Sequence, residues 1–210
     1  MERGDVRILP QVTMSQSEPR LPLENAGTLG AYDAILARCL QLFEDKTADY
    51  GTAWRVLRPP SLTDQIFIKA NRIRTLQEKG VARIREGIEP EFMGIINYGI
   101  IAQVQCGLQD SDSLDLPVDQ AVAAYRSAAQ ATRQLMIDKN HDYGEAWRDM
   151  RVSSLTDLIL MKVMRVKQIE DNAGRTRVSE GVVANYQDMV NYAFFALILL
   201  EEAAREARGL

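Results

Sequence analysis

Two cations stand out in an apolar stretch, residues 155–169, of the second half of the chain. Lys162 and Arg165 lie three residues apart and therefore share one face of a helix. Because their neighbours are apolar on nearly every side, the pattern predicts a buried helix, and cations that emerge from a buried helix need anionic partners. These partners are either aspartates of a structural ion-pair network or the phosphates of a ligand, which Arg binds through a planar fork and Lys as a point charge.

A carboxylate and an amide share a face of the last predicted helix. Asp188 and Asn191 lie three residues apart, and we expect them to face Asp157 across a helical bundle. Oxygen ligands of this kind suit Mg²⁺, either directly or through water. The sequence therefore indicates either a magnesium site at Asp157 and Asp188 or a buried hydrogen-bonded pair.

These residues belong to a tandem repeat. Residues 45–76 align with residues 138–169 without a gap, and half of the aligned positions are identical. Apolar positions changed between the copies, as in Leu57 against Met150, whereas many charged positions did not. Surface charges add little to stability and should diverge fastest, so their retention favours a functional role.

The retained polar and aromatic positions supply most of the candidate ligand-binding residues. In the first copy these are Lys46, Asp49, Trp54, Asp64, Lys69 and Arg72. In the second copy they are Lys139, Asp142, Tyr143, Trp147, Asp157, Lys162 and Arg165, joined by Asp188 and Asn191 of the following helix. The first copy has Gly94 where the second has Asp188.

The helices that must position these residues can be placed from caps and periodicity. Each copy contains three predicted helices, and the motif D-Y-G ends the first of them because Gly51 and Gly144 can adopt a left-handed conformation. The second helix is expected to begin at Ser61 and at Ser154, each followed three residues later by Asp in a variant of the capping box. No strand is predicted. The fold class is therefore all-α, a helical bundle of two pseudo-symmetric three-helix repeats.

The domain organisation follows from the repeat. We predict a flexible N-terminal arm over residues 1–25, a first repeat over 26–107, a linker over 108–116 and a second repeat over 117–210. One trio of helices would have a small core, so we expect both repeats to pack as one bundle.

Composition narrows the class of partner. The chain has 210 residues and a net charge of −4, which argues against direct binding to long nucleic acids. No apolar run approaches the length of a membrane span, and the two cysteines fit a reducing, cytoplasmic location. The sequence leaves a homo-oligomer open.

The motifs D-Y-G-x-A-W-R, S-L-T-D, K-x-x-R and N-Y occur twice and resemble a bacterial and phage helical family. This is the nucleotide-modification-associated domain one family, first catalogued as a domain of unknown function. The resemblance covers about residues 32–102 and 125–197. The helical layout is also similar to all-α nucleotide pyrophosphohydrolases of the MazG and dimeric dUTPase types. Those enzymes hold Mg²⁺ with E-x-x-E and E-x-x-D, where this chain has Asp157 with Lys162 and Arg165.

The resemblance implies a nucleotide or another phosphate-bearing small molecule as the ligand. Lys139, Lys162 and Arg165 would bind its phosphates, and Tyr143 or Trp147 would stack on its base. The corresponding enzyme would be a Mg²⁺-dependent pyrophosphohydrolase of an NTP or a modified dNTP.

In such an enzyme Asp142, Asp157 and Asp188 would hold Mg²⁺ and orient the attacking water. Two alternatives stay open. One is a non-catalytic regulatory module that binds a nucleotide or another anion in the same cationic pocket. The other is a helical scaffold whose retained charges form structural ion pairs.

Overall fold

The computed structural model describes residues 24–80, 87–108, 114–176, 178 and 181–209. Within these ranges the chain forms six α-helices and two short 3-10 helices and contains no strand, which confirms the predicted all-α class. The α-helices are α1 (Glu24–Tyr50), α2 (Pro59–Lys79), α3 (Glu89–Gly107), α4 (Val118–Tyr143), α5 (Val152–Asp171) and α6 (Gly181–Glu206). The 3-10 helices span Ala53–Val56 and Ala146–Asp149 and contain the A-W-R motif.

Parts of the predicted arm and linker lie outside the described ranges, namely residues 1–23 and 109–113. Glu24 and Asn25, which were expected to end the arm, already belong to α1. Among the helices of the described chain, none combines the length and the apolar character that a bilayer span requires.

Helices α1–α3 form the first repeat and α4–α6 the second, and one hydrophobic core runs through both. Helix α2 packs on α5, and α3 packs on α6. Aromatic rings join the repeats as well: Tyr32 stacks on Phe194 with centroids 3.7 Å apart, and Phe43 stacks on Tyr125 at 4.4 Å. The two trios thus form a single bundle, in which each repeat covers the apolar faces of the other.

Glycine ends the first helix of each repeat, as the D-Y-G motif predicts. Gly51 has φ +61° and Gly144 has φ +60°, a conformation that other residues rarely adopt. Their backbone N–H groups donate to the carbonyls of Thr47 and Asn140 at 2.9 Å. In each repeat the chain then turns into a short 3-10 helix, which leads to the second helix of that repeat.

The predicted start of that second helix is wrong by two residues. Helix α2 begins at Pro59 and α5 at Val152, so Arg58 and Arg151 occupy the N-cap positions and neither forms a side-chain cap hydrogen bond. A proline fits the first position of a helix because its φ is already helical and it has no N–H to leave unpaired. Ser61 therefore lies inside the first turn instead of capping it.

Two reciprocal hydrogen bonds fix the third helix of each repeat against the opposite repeat. The buried Tyr32 hydroxyl donates to Asn191 Oδ1 at 3.0 Å, and the buried Tyr125 hydroxyl donates to Asn97 Oδ1 at 2.6 Å. Each bond joins the first helix of one repeat to the third helix of the other. These bonds therefore hold α3 and α6, the third helices of the two repeats, against the first helix of the opposite repeat.

Candidate functional site

The second repeat contains an open cleft of about 1240 Å³ between the end of α4, the face of α5 and the first turns of α6. We call it the second-repeat cleft. Of the described residues that line it, four are cations and one is a carboxylate. Its lining residues are Lys139, Tyr143, Lys162, Arg165, Gln168, Ile169, Asn172, Arg175, Thr176, Val178, Asn185, Asp188 and Tyr192.

Asp188 organises the inner wall of this cleft. The side chain is buried and accepts a hydrogen bond on each oxygen, from Lys139 Nζ at 2.5 Å and from Lys162 Nζ at 2.6 Å. The two lysines come from different helices, α4 and α5, and one carboxylate draws both ammonium groups to the same place. Because two positive charges oppose one negative charge, the wall keeps a net positive charge.

Arg165 adds a second positive element at an exposed position of α5. Among the residues that the structure describes, no carboxylate lies within ion-pair distance of its guanidinium. The first repeat differs here, because Glu91 of α3 forms ion pairs with both Lys69 and Arg72, the counterparts of Lys162 and Arg165. In the second repeat the position of Glu91 is taken by Asn185, which carries no charge.

Asn185 leaves one acceptor unsatisfied. Its side chain is 3% exposed, its Nδ2 donates to the Gly181 carbonyl at 2.6 Å, and its Oδ1 has no hydrogen-bond partner among the residues that the structure describes. A buried polar atom without a partner costs free energy. A ligand that donates a hydrogen bond to Asn185 Oδ1 would satisfy this acceptor.

Two tyrosines complete the cleft. Tyr143 is 72% exposed at the rim. Tyr192 is half-buried, and burial followed by the nearby charge of Asp188 raises the pKa of its hydroxyl. Tyr192 therefore stays protonated at neutral pH and keeps its hydrogen-bond donor.

A smaller cleft of about 380 Å³ occupies the corresponding place in the first repeat, and we call it the first-repeat cleft. Five lining positions of this cleft correspond to lining positions of the second-repeat cleft. The corresponding pairs are Lys46 and Lys139, Tyr50 and Tyr143, Lys69 and Lys162, Gly94 and Asp188, and Tyr98 and Tyr192. The repeat has therefore produced two related hollows with different charge.

Several predicted site residues do line these clefts. Lys139, Tyr143, Lys162, Arg165 and Asp188 line the second-repeat cleft. Lys46, Trp54 and Lys69 line the first-repeat cleft. Arg72 forms an ion pair with Glu91 and does not line that cleft.

Asp64 and Asp157 lie elsewhere, in reciprocal ion pairs between the repeats. Asp64 accepts from Lys167 Nζ at 2.5 Å, and an oxygen of Asp157 lies 3.8 Å from a guanidinium nitrogen of Arg74. Both aspartates are more than half exposed and line neither cleft. The sequence left aspartates open as ion-pair partners of Lys162 and Arg165, but these two aspartates pair instead with Lys167 and Arg74.

The other predicted residues are also outside the clefts. Asp49 and Asp142 are exposed, and Asp142 lies 3.2 Å from His141 Nδ1. Trp147 is buried in the core, where it stacks on Phe195 with centroids 4.3 Å apart. Asn191 is buried, accepts from Tyr32 and donates to the Thr132 carbonyl at 3.2 Å.

These positions do not fit a magnesium site. Both oxygens of Asp188 are bound by lysines, and the amide of Asn191 is satisfied by protein groups. Asp157 lies against Arg74, not in the cleft with Asp188. Within the described part of the chain, no three His, Cys, Asp or Glu side chains come together as a metal cluster. Mg²⁺ stays a prediction that the donor set does not support.

Sequence reasoning missed Arg175, Asn185 and Tyr192 as lining residues. It searched for positions that the two copies retained, whereas Asn185 matters because it differs from Glu91. A comparison of charges that changed between the copies would have found it. Arg175 follows α5 in a segment without a counterpart in the gapless alignment, so the repeat carried no signal for it.

Comparison with known proteins gives one family. The family model described as nucleotide modification associated domain 1 matches residues 46–106 and again residues 139–200. Neither the curated proteins nor the solved structures gave a match. The two matched regions contain both clefts almost entirely and cover more than half of the chain. The chain therefore belongs to the nucleotide modification associated domain 1 family and carries two copies of the domain.

Proposed function

We propose that the protein binds a phosphate-bearing ligand, of the nucleotide class, in the second-repeat cleft. The observation that carries the proposal is the arrangement of charge. Asp188 gathers Lys139 and Lys162 on one wall, while Arg165 faces the same cleft with no carboxylate within ion-pair distance in the described chain. The family name associates the domain with nucleotide modification and agrees with this class of ligand.

The cations would divide the phosphate oxygens between them. A guanidinium binds two oxygens of one phosphate in parallel, which suits Arg165 and Arg175 at the open side of the cleft. An ammonium has three N–H donors, and Asp188 accepts from each lysine through one of its oxygens. Asp188 would thus be a positioning residue, because it orients Lys139 and Lys162 and would not itself touch the anion.

The base of a nucleotide would lie toward Tyr143. This ring is 72% exposed at the rim of the cleft, so one of its faces is open for stacking. Trp147, the other candidate from the sequence, is 6% exposed and stacks on Phe195. Of the two aromatic residues, Tyr143 is the one that a ligand can reach without a rearrangement of the core.

The proposal is binding without a requirement for Mg²⁺. Pyrophosphohydrolysis, the reaction that the resemblance to MazG-type enzymes implies, needs carboxylates that can hold the metal. Among the described residues that line this cleft, Asp188 is the one carboxylate, and it is bound by two lysines. A binding or regulatory role therefore has more support from the residues present than turnover has.

The test is isothermal titration of the full chain with pyrophosphate and with a panel of deoxynucleoside triphosphates, each with EDTA and with Mg²⁺. We expect saturable binding in EDTA. Arg165→Ala should weaken it about 10- to 100-fold, the range for loss of a charged hydrogen-bond pair. Lys167→Ala is the matched control, because it removes a positive charge from the same helix outside the cleft, and it should leave the affinity within about twofold.

Two outcomes would overturn the proposal. One is no binding of any of these probes in EDTA. The other is equal affinity in the wild-type protein and Arg165→Ala. Mg²⁺-dependent release of pyrophosphate from a triphosphate would instead support the pyrophosphohydrolase hypothesis.

A further inference from the structure

The first-repeat cleft differs in chemistry from its counterpart although the two occupy equivalent places. Its volume of about 380 Å³ falls in the range of small-molecule pockets, about 300–1,000 Å³. Its walls are mainly apolar and aromatic, whereas the second-repeat cleft is lined by cations. The apolar and aromatic lining includes Leu42, Phe43, Trp54, Tyr98 and Ile101.

Gly94 accounts for the floor of this cleft. A Cβ atom added at position 94 would lie 2.5 Å from Cε and 2.6 Å from Cδ of Lys69. The apolar stem of Lys69 therefore lies directly over the glycine, in the place where a side chain would otherwise stand. The Lys69 ammonium is bound to Glu91 at 3.2 Å and lies 5.8 Å from the centre of the Tyr98 ring.

Glycine stands at position 94 where the second repeat has Asp188, and this difference leaves Lys46 without a nearby counter-charge among the described residues. Its counterpart Lys139 is bound to Asp188, but the first repeat has Gly94 at that position and no carboxylate there. Among the described residues, no acidic group lies within ion-pair distance of Lys46. Since Glu91 binds Lys69, Lys46 is the one cation without an ion-pair partner among the described residues that line this cleft.

Trp54 supplies an unused donor. Its indole lines the cleft, and its Nε1 is buried and has no hydrogen-bond partner within the described parts of the chain. Trp147 Nε1 likewise lacks a partner in the described ranges, but Trp147 is not among the residues that line the second-repeat cleft. Of the two clefts as their described residues define them, the first-repeat cleft is the one that combines an aromatic wall, an indole N–H and one uncompensated ammonium group.

We propose that the first-repeat cleft binds a flat aromatic or heteroaromatic ring that carries one negative charge. The ring would pack against Phe43, Trp54 and Tyr98 with its anionic group at Lys46, and a ring that carries an acceptor atom would direct it toward Trp54 Nε1. The first-repeat cleft is a separate site from the second-repeat cleft, and its ligand needs no phosphate chain. The proposal does not rest on the function proposed for the second repeat.

The experiment is a titration of the full chain with indole-3-acetate, an aromatic ring with one carboxylate, and with the uncharged indole-3-acetamide. We expect both to bind with one site per chain and the acetate to bind about two- to fivefold more tightly, the effect of one exposed ion pair. Lys46→Gln should lower acetate affinity to that of the amide and leave amide affinity unchanged. Saturating pyrophosphate should leave both titrations unchanged.

Leu42→Glu tests the location of the site. Leu42 lines the cleft and is 36% exposed, so the substitution places a carboxylate at the cleft without removing a core residue. We expect at least a tenfold loss of acetate affinity. The matched control is Leu135→Glu, at the corresponding position of the second repeat and outside both clefts, which should bind acetate as the wild type does.

Absence of binding to either indole would overturn the proposal. So would acetate binding that is the same in Leu42→Glu and Leu135→Glu, because the ring would then lie elsewhere. Competition between pyrophosphate and indole-3-acetate would mean one shared site and would also overturn it.

Discussion

Asp188 and Gly94 occupy the same position in the two repeats, and only the aspartate brings two lysines together. In the second repeat Asp188 binds Lys139 and Lys162 at 2.5 and 2.6 Å. In the first repeat the stem of Lys69 covers Gly94, and its ammonium turns to Glu91. The first repeat has its carboxylate at Glu91, and the second has it one helical turn later, at Asp188. This position decides the charge of each cleft.

Replacing Asp188 should destabilise the protein. Asp188→Asn leaves two ammonium groups around a buried position without their counter-charge, and we expect a loss of about 2–4 kcal/mol in the free energy of unfolding. Urea unfolding monitored by circular dichroism measures it. The control is Asp142→Asn, because that carboxylate is 75% exposed and should change stability by less than about 0.5 kcal/mol. Equal effects of the two substitutions would contradict the structural role assigned to Asp188.

Tyr32 and Tyr125, whose hydroxyls make the reciprocal hydrogen bonds between the repeats, should contribute similarly to the free energy of unfolding. Tyr32→Phe removes the hydroxyl that donates to buried Asn191, and Tyr125→Phe removes the donor to Asn97. Each leaves a carbonyl oxygen short of a partner, so we expect each to cost about 1–3 kcal/mol. Thermal and urea unfolding provide the measurement, with Tyr143→Phe as the exposed control. A loss at one tyrosine but none at the other would mean that the pseudo-symmetry does not extend to these bonds.

Glu170 should give stability a specific pH dependence. Burial raises the pKa of its carboxyl, and the charges of Asp64 and Asp171 act in the same direction against hydrogen bonds from Thr63 and Tyr186. A raised pKa in the folded state means that the folded protein holds the proton more tightly than the unfolded chain. The contribution of Glu170 to stability is thus present at low pH and is lost as pH rises through the folded-state pKa.

Glu170→Gln isolates that contribution, and the first repeat already has Gln77 at the corresponding position, where it donates to Thr156 at 3.1 Å. Unfolding of both proteins from about pH 5 to about pH 8 should show the variant gaining stability relative to the wild type as pH rises. A difference that is constant with pH, or that falls, would contradict the raised pKa.

Salt should distinguish the two clefts. The second-repeat cleft is open to solvent, so raising the salt concentration from about 0.05 to about 0.5 M should weaken pyrophosphate binding at least severalfold. Binding of uncharged indole-3-acetamide at the first-repeat cleft should change little over the same range. Titration calorimetry at both salt concentrations provides the comparison. Pyrophosphate affinity that does not change with salt would argue against binding by the exposed cations.

Local signals in the sequence predicted most of the fold. The D-Y-G caps and the repeat placed helices and their ends because a left-handed glycine is a local requirement. The start of α2 was misplaced because Pro59 fits the first helical position better than Ser61 fits the cap. Two adjacent residues here favour different helix starts, and the backbone geometry that selects one of them cannot be predicted from composition.

The site was predicted only in part, because its members meet through packing. Helical spacing correctly put Lys162 and Arg165 on one face, but it could not show that Asp157 would lie against Arg74 of the other repeat. That outcome depends on how α2 packs on α5. The search for retained residues also hid Asn185, whose importance comes from the loss of the carboxylate that Glu91 keeps in the first repeat.

The most direct test of the central claim is to give the second repeat the carboxylate of the first. Asn185→Glu should place an acid beside Lys162 and Arg165, as Glu91 lies beside Lys69 and Arg72, while Asp188 continues to hold Lys139. Titration with pyrophosphate in EDTA should then show at least a tenfold loss of affinity, with the thermal midpoint of the free protein preserved. Unchanged pyrophosphate affinity in a folded Asn185→Glu protein would contradict the claim that this cleft binds anions through its uncompensated positive charge.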